Sequence, residues 1–180
     1  MSLFASPREV EALGDLYANI WQVAYVTRDL DAGMEELSDR FGVESTEVPT
    51  AGGTFMRGDE PVDWDVRIAM SARGGLILEL IEPVDGEVDF YRRFLPEDGS
   101  AALGFHHLAT YVPVGDEEWE SVGEVLSGAG LSVQYTLVIP DRVRAGYVDT
   151  TPLLGHYLEI CQLQPADTEL FDGLVAGSAQ

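Results

Sequence analysis

Four polar residues stand where metal-ion or proton-transfer chemistry would need them: Gln22, Glu79, His107 and Glu159. Gln22 lies in the strand-like segment Ile20-Trp21-Gln22-Val23-Ala24-Tyr25-Val26. His107 lies in a second version of it, His106-His107-Leu108-Ala109-Thr110-Tyr111-Val112. Each segment is followed by an apolar run broken by a single Glu, Leu76-Ile77-Leu78-Glu79-Leu80-Ile81 and Tyr157-Leu158-Glu159-Ile160-Cys161. Gln22 and His107 are 85 residues apart and Glu79 and Glu159 are 80 apart, a nearly constant offset. An internal duplication therefore places the four groups, which implies one site built from two halves.

Strand alternation says what each group faces. Side chains two apart share a face, so Gln22, Ala24 and Val26 point one way while Trp21, Val23 and Tyr25 pack the other way, against a helix. In the first Glu-bearing run, Ile77, Glu79 and Ile81 oppose Leu76, Leu78 and Leu80. In the second, Glu159 shares its face with Tyr157 and Cys161 and opposes Leu158 and Ile160. Both faces are apolar apart from the carboxylates, and an unpaired buried charge is costly. Each Glu thus needs a cation or a proton. Two carboxylates with a His and a Gln form a four-ligand N/O set suited to a divalent ion, with Zn, Ni, Co, Mn, Fe and Mg all admitted by donor type. His106 falls on the face opposite His107. His156, in the turn before its strand, falls across the pleat from Glu159. Cys161 is a small packing residue with no sign of activation.

The elements around these residues repeat. After the first strand, Asp29 offers an N-cap, Met34, Leu37 and Phe41 recur at helical spacing, and Gly42 is a C-cap. Strands follow over residues 43–48 and 64–71 and through Glu79. In the second half a helix marked by Trp119, Val122 and Leu126 is followed by strands over 131–138 and 143–149 and through Glu159. Both halves read β-α-β-β-β. The expected organisation is an extension over residues 1–17, modules over 18–82 and 104–163, a connector with a short helix over 83–103, and a tail over 164–180 that frays.

Composition narrows the function classes. With 180 residues and 46% hydrophobic content the chain can bury a substantial core. Ten basic against thirty-two acidic residues give a net charge of -22, which repels nucleic-acid backbones and anionic membranes. One cysteine excludes an internal disulfide and a thiolate zinc cluster. No leader-like start or membrane-spanning apolar run is evident. The expectation is a cytoplasmic protein without nucleic-acid or membrane partners.

At these residues the sequence resembles the vicinal oxygen chelate superfamily, which includes glyoxalase I, methylmalonyl-CoA epimerase, extradiol dioxygenases and bleomycin-resistance proteins. The resemblance spans about residues 18–163. It is most specific in Leu78-Glu79-Leu80-Ile81-Glu82-Pro83, Phe94-Leu95 and Gly104-Phe105-His106-His107-Leu108-Ala109. It implies an α+β fold in which two βαβββ modules form a curled mixed sheet around a metal cavity, with Gln22, Glu79, His107 and Glu159 as ligands. The ligand set is similar to that of glyoxalase I. Gln22 departs from the epimerases, which carry His there, and from the two-His-one-carboxylate set of ring-cleaving dioxygenases.

The resemblance implies a metal-dependent isomerase or lyase that abstracts a proton next to a carbonyl through a metal-stabilised enolate or enediolate. Glu159 is the first choice of base and Glu79 the second. Tyr111 and Tyr157 are candidate hydrogen-bond donors to substrate, and Arg67 is a candidate anchor for an anionic substrate group. Loops over residues 51–63 and 139–144 are expected at the entrance. The expected partners are a small-molecule substrate and a second copy of the chain in a homodimer. The alternatives are a non-catalytic, resistance-type small-molecule binder and, third, an extradiol-type dioxygenase.

Overall fold

The protein is described by a computed structural model covering Phe4 and residues 10–49, 54–73, 75–98 and 103–177. In chain order the elements are α1 (Leu13–Leu16), β1 (Ile20–Val26), α2 (Leu30–Phe41), β2 (Thr46–Val48), β3 (Thr54–Arg57), β4 (Glu60–Val62), β5 (Trp64–Arg73) and β6 (Leu76–Gly86). They continue with α3 (Asp89–Arg92), β7 (Gly104–Tyr111), α4 (Asp116–Gly128), β8 (Val133–Ile139), β9 (Val143–Asp149), α5 (Thr151–Leu154), β10 (Tyr157–Leu163) and α6 (Pro165–Gly177). The N-cap of α2 is Asp29, whose carboxylate accepts from the Ala32 amide at 3.0 Å. Gly42 closes that helix in the left-handed region at φ 62°, a conformation that glycine adopts without a Cβ clash.

The strands form one curled mixed sheet in the order β2-β5-β6-β1-β7-β10-β9-β8-β3-β4. At its centre β1 and β7 run antiparallel, and each has its own Glu-bearing strand parallel to it on the outer side, β6 beside β1 and β10 beside β7. The two halves are thus related about the β1/β7 seam. The outward faces carry the helices. Leu80 and Ala69 pack with Leu30 and Leu37 of α2, and Leu158 and Ile160 pack with Val122 and Leu126 of α4. The concave face buries Val66, Ile81, Phe90, Tyr91, Tyr147 and Tyr157. Alternation in β6 and β10 therefore divides the residues as their sequence predicts.

Three segments differ from expectation. Within residues 51–63, expected as an entrance loop, the described part is the hairpin β3–β4, which pairs with β8 of the other half. Phe55 explains the pairing: only 3% exposed, it stacks between Trp64 at 5.1 Å and Tyr135 at 5.6 Å, a burial the hairpin could not supply alone. The described part of the tail is helical. Residues 165–177 form α6, held by Phe171 against Trp21 at 4.9 Å and by Asp167 bonded to Arg142 at 3.0 Å. Finally, Trp21 packs with Phe4 and with Phe171 of α6 at the concave side, and not with the helices of the outward faces. The cause is a bulge described next.

Candidate functional site

The four predicted ligands arise from four adjacent central strands: Glu79 on β6, Gln22 on β1, His107 on β7 and Glu159 on β10. Register brings them together in two rungs. Glu79 and His107 both align with Ala24, while Gln22 and Glu159 both align with Ala109. The two alanines are fully buried. Their single methyl groups leave the space over which the long side chains lean inward. The Gln22 Nε2 donates to Glu79 Oε2 at 2.9 Å and lies 3.4 Å from His107 Nε2. His107 Nε2 lies 3.2 Å from Glu159 Oε2 and 3.6 Å from Glu79 Oε2.

Each half also carries a bulge at its ligand. Ile20 pairs with Thr110 and Gln22 with Ala109, so Trp21 is the extra residue on β1. Tyr25 pairs with Phe105 and Ala24 with His107, so His106 is the extra residue on β7. A bulge turns two consecutive side chains towards one side. This is why Trp21 joins the concave wall, and why His106, expected on the opposite face, packs beside His107 among Phe90, Tyr91 and Phe94. His106 Nε2 is 3.1 Å from the Phe90 carbonyl, and its Nδ1 is 2.8 Å from His107 Nδ1. A carbonyl only accepts, so Nε2 carries the His106 proton. Burial, with the His107 charge, holds His106 well below the ordinary imidazole range. Its bare Nδ1 therefore accepts from His107 Nδ1–H, an assignment that follows from the hydrogen-bond network. His107 Nε2 is left directed at the two carboxylates.

Electrostatics separate those carboxylates. Burial pushes Glu79 up to about 8, reinforced by Glu159 and opposed by His107. Glu159 feels the same upward push of burial, but the His107 charge and hydrogen bonds from His107, Tyr147 and Cys161 hold it below the usual carboxylate range. Burial lowers His107 and the two Glu residues outweigh it, so the imidazole is raised overall. These three groups share protons as a coupled set.

The donor set can be tested against a divalent ion. Metal bonds of about 2.0–2.2 Å place neighbouring donors about 2.9–3.5 Å apart, and the donor separations here run from 2.9 to 3.6 Å. Among the described residues no three His, Cys, Asp or Glu side chains already surround a common point as an open cage. The four instead close on one another through hydrogen bonds, as protonated groups do. Gln22 currently presents its nitrogen, and a turn of its near-isosteric amide presents the oxygen. The residues fit the ion by type, burial and spacing.

The other predicted residues are distributed differently. Arg67 is not brought to the cavity: its guanidinium is bound by Glu47 at 3.0 Å, Glu82 at 2.9 Å and Asp31 at 3.1 Å. Tyr157 is buried beneath the concave face, with Arg93 4.6 Å over its ring, and Tyr111 packs edge-on to Phe4 at 5.0 Å. His156 stacks on Phe105, away from Glu159. Cys161 does border the cavity beside Glu159, and burial pushes its thiol well up. The sequence reasoning missed Tyr147 and Tyr91. Tyr147 aligns with Glu159 across the β9/β10 pairing, and the Tyr91 hydroxyl donates to that of Tyr147 at 3.1 Å. The alternation of Val143, Ala145 and Tyr147 carried this signal, but the facing register was not readable.

Above the polar cluster lies a cavity of about 190 Å³. Its walls are mainly apolar, with Trp21, Ile68, Met70, Leu137 and Leu163 among them, and Leu170, Phe171 and Leu174 of α6 also line it.

A family model described as the Glyoxalase/Bleomycin resistance protein/Dioxygenase superfamily matches residues 21–147. The chain belongs to that superfamily. Among solved structures it is similar to methylmalonyl-CoA epimerase from Mycobacterium tuberculosis, at 18% identity and a TM-score of 0.56, covering 84% of this chain and 91% of that one. A Streptomyces coelicolor methylmalonyl-CoA epimerase variant in complex with 2-nitronate-propionyl-CoA aligns at 20% identity and a TM-score of 0.54, covering 79% and 95%. A methylmalonyl-CoA epimerase in complex with methylmalonyl-CoA and NH4+ aligns at 19% identity and 0.54, covering 82% and 98%. At these identities the likeness concerns the fold. No curated protein sequence matches the chain.

Proposed function

We propose that this chain is a metal-dependent lyase or isomerase of the glyoxalase and epimerase type, working by proton abstraction next to a carbonyl. The observation that carries the reading is the convergence of Gln22, Glu79, His107 and Glu159 from four adjacent strands within 3.6 Å of a neighbour in the set. These four residues would hold a divalent ion. When bound, the ion supplies Lewis-acid stabilisation of negative charge on a substrate oxygen.

The chain's own groups divide the proton work. Glu159, held ionised by His107, Tyr147 and Cys161, is the base that accepts the proton from carbon. Glu79, on the other side of His107, is the second carboxylate and can work on the opposite face of the substrate. Two carboxylates in unlike surroundings suit unequal roles in one turnover. The apolar walls exclude water from the proton in transit.

The test has two measurements. Elemental analysis after purification without chelators is expected to find a stoichiometric divalent ion that His107→Ala loses. Exchange of the carbon-bound proton of a bound ketone with deuterated solvent, followed by NMR, is expected in the parent and not in Glu159→Gln. A metal-free parent protein, or an exchange rate unchanged by Glu159→Gln, overturns the proposal.

A further inference from the structure

The charged groups around this site say which substrates it refuses. Nine of the ten arginines fall within the described residues, and the sequence contains no lysine. Seven of the nine are engaged with carboxylates, including Arg67 with three of them. The other two, Arg28 and Arg73, donate to backbone carbonyls. A phosphate arriving at the seven paired cations competes with a carboxylate already there, on a protein of net charge -22. Phosphate recognition depends on cations and amides that are available to it.

The cavity repeats this at closer range. Arg142 is the single cation among its described lining residues, and its Nε bonds to Asp167 at 3.0 Å. Asp167 is itself 2% exposed, so the cation is matched by a buried carboxylate in the first turn of α6. The remaining wall is hydrocarbon and aromatic, and polar groups are concentrated at the Gln22, Glu79 and Glu159 end. At about 190 Å³ the space is smaller than the 300–1,000 Å³ usual for drug-sized ligands.

We infer that the substrate of this site is a compact, uncharged, largely apolar carbonyl compound, and not a phosphate-bearing coenzyme A thioester of the kind named in the epimerase complexes. This rests on the proposed reading of the site. It separates the chain from those structural neighbours by chemistry on which the fold is silent. One polar end meets the four-residue cluster, and the rest is recognised by burial of apolar surface, a contribution that does not depend on a metal ion.

Isothermal titration calorimetry on metal-free full-length protein tests it with two probes, 1-phenylpropane-1,2-dione and propionyl-CoA. The dione is expected to bind at least about tenfold more tightly, with a dissociation constant that moves by less than roughly twofold between low and high salt. The double variant Leu170→Ala/Leu174→Ala alters residues 53% and 40% exposed in the parent, so the fold tolerates it. It is expected to weaken the dione about tenfold while leaving propionyl-CoA unchanged. Propionyl-CoA binding as tightly as the dione, absence of dione binding, or a double variant with parental dione affinity overturns the inference. Failure of the metal reading looks different: no metal uptake by a protein that still prefers the dione.

Discussion

The two halves of this molecule place equivalent residues at equivalent points and use them unequally. In the second half, the bulge residue His106 orients His107 by hydrogen bonding, and Glu159 is held ionised by three neighbouring side chains. In the first half the bulge residue Trp21 is an apolar wall, Gln22 carries no charge, and Glu79 is pushed towards its protonated form. Duplication supplied the geometry. Divergence at two bulge positions and two ligand positions supplied the asymmetry that proton transfer needs, since an acid and a base cannot be made from identical environments.

That comparison can be broken by substitution. Glu159→Gln should slow carbon-proton exchange about 10²–10⁴-fold, as expected for loss of a general base, while Glu79→Gln should cost about tenfold; equal losses would remove the distinction between the halves. Metal affinity should fall about 10–100-fold in His106→Phe, which removes the acceptor that orients His107. The corresponding change Trp21→Phe should leave metal affinity nearly unaltered, and competition with a chromogenic chelator measures both.

Proton linkage sharpens the comparison further. In the metal-free protein Glu79 keeps its proton up to about 8, against 4.5 for an ordinary Glu, and His107 is raised as well. The folded state therefore binds more protons than the unfolded one, so metal-free stability falls as pH rises between those values. A metal ion must expel the same protons, so its apparent affinity should rise across that window, by up to about tenfold per pH unit for each proton released. Calorimetry in buffers of different ionisation enthalpy counts them, and a pH-independent affinity would contradict the assignment. The spacers should act on stability. Ala24→Val and Ala109→Val place methyl groups between the ligands and should each cost about 1–3 kcal/mol, read by thermal unfolding.

Much of this was legible in the sequence because the signals were local and periodic. Alternation around Glu79 and Glu159 assigned faces correctly, and the near-constant offset paired the halves. The bulges were not legible. Strict alternation sends Trp21 and His106 to the helix side, and only the pairing of β1 with β7 shows that each strand holds one residue too many. Arg67 failed for a related reason, since its three carboxylate partners come from α2, β2 and β6 and meet it only in the folded chain. The tail was expected to fray, yet Phe171 found a partner in Trp21 of β1 and Asp167 one in Arg142 of the turn between β8 and β9.

The central seam also bears on how the molecule assembles. The β1/β7 ladder joins residues some eighty positions apart, and hairpin β3–β4 of the first half completes the outer edge of the second. Neither half owns its full set of strand partners. The site should therefore appear late, after slow long-range closure rather than early local collapse. A chain severed within the connector would expose β1 or β7 as a long unpaired edge, a template for aggregation rather than a soluble half-protein.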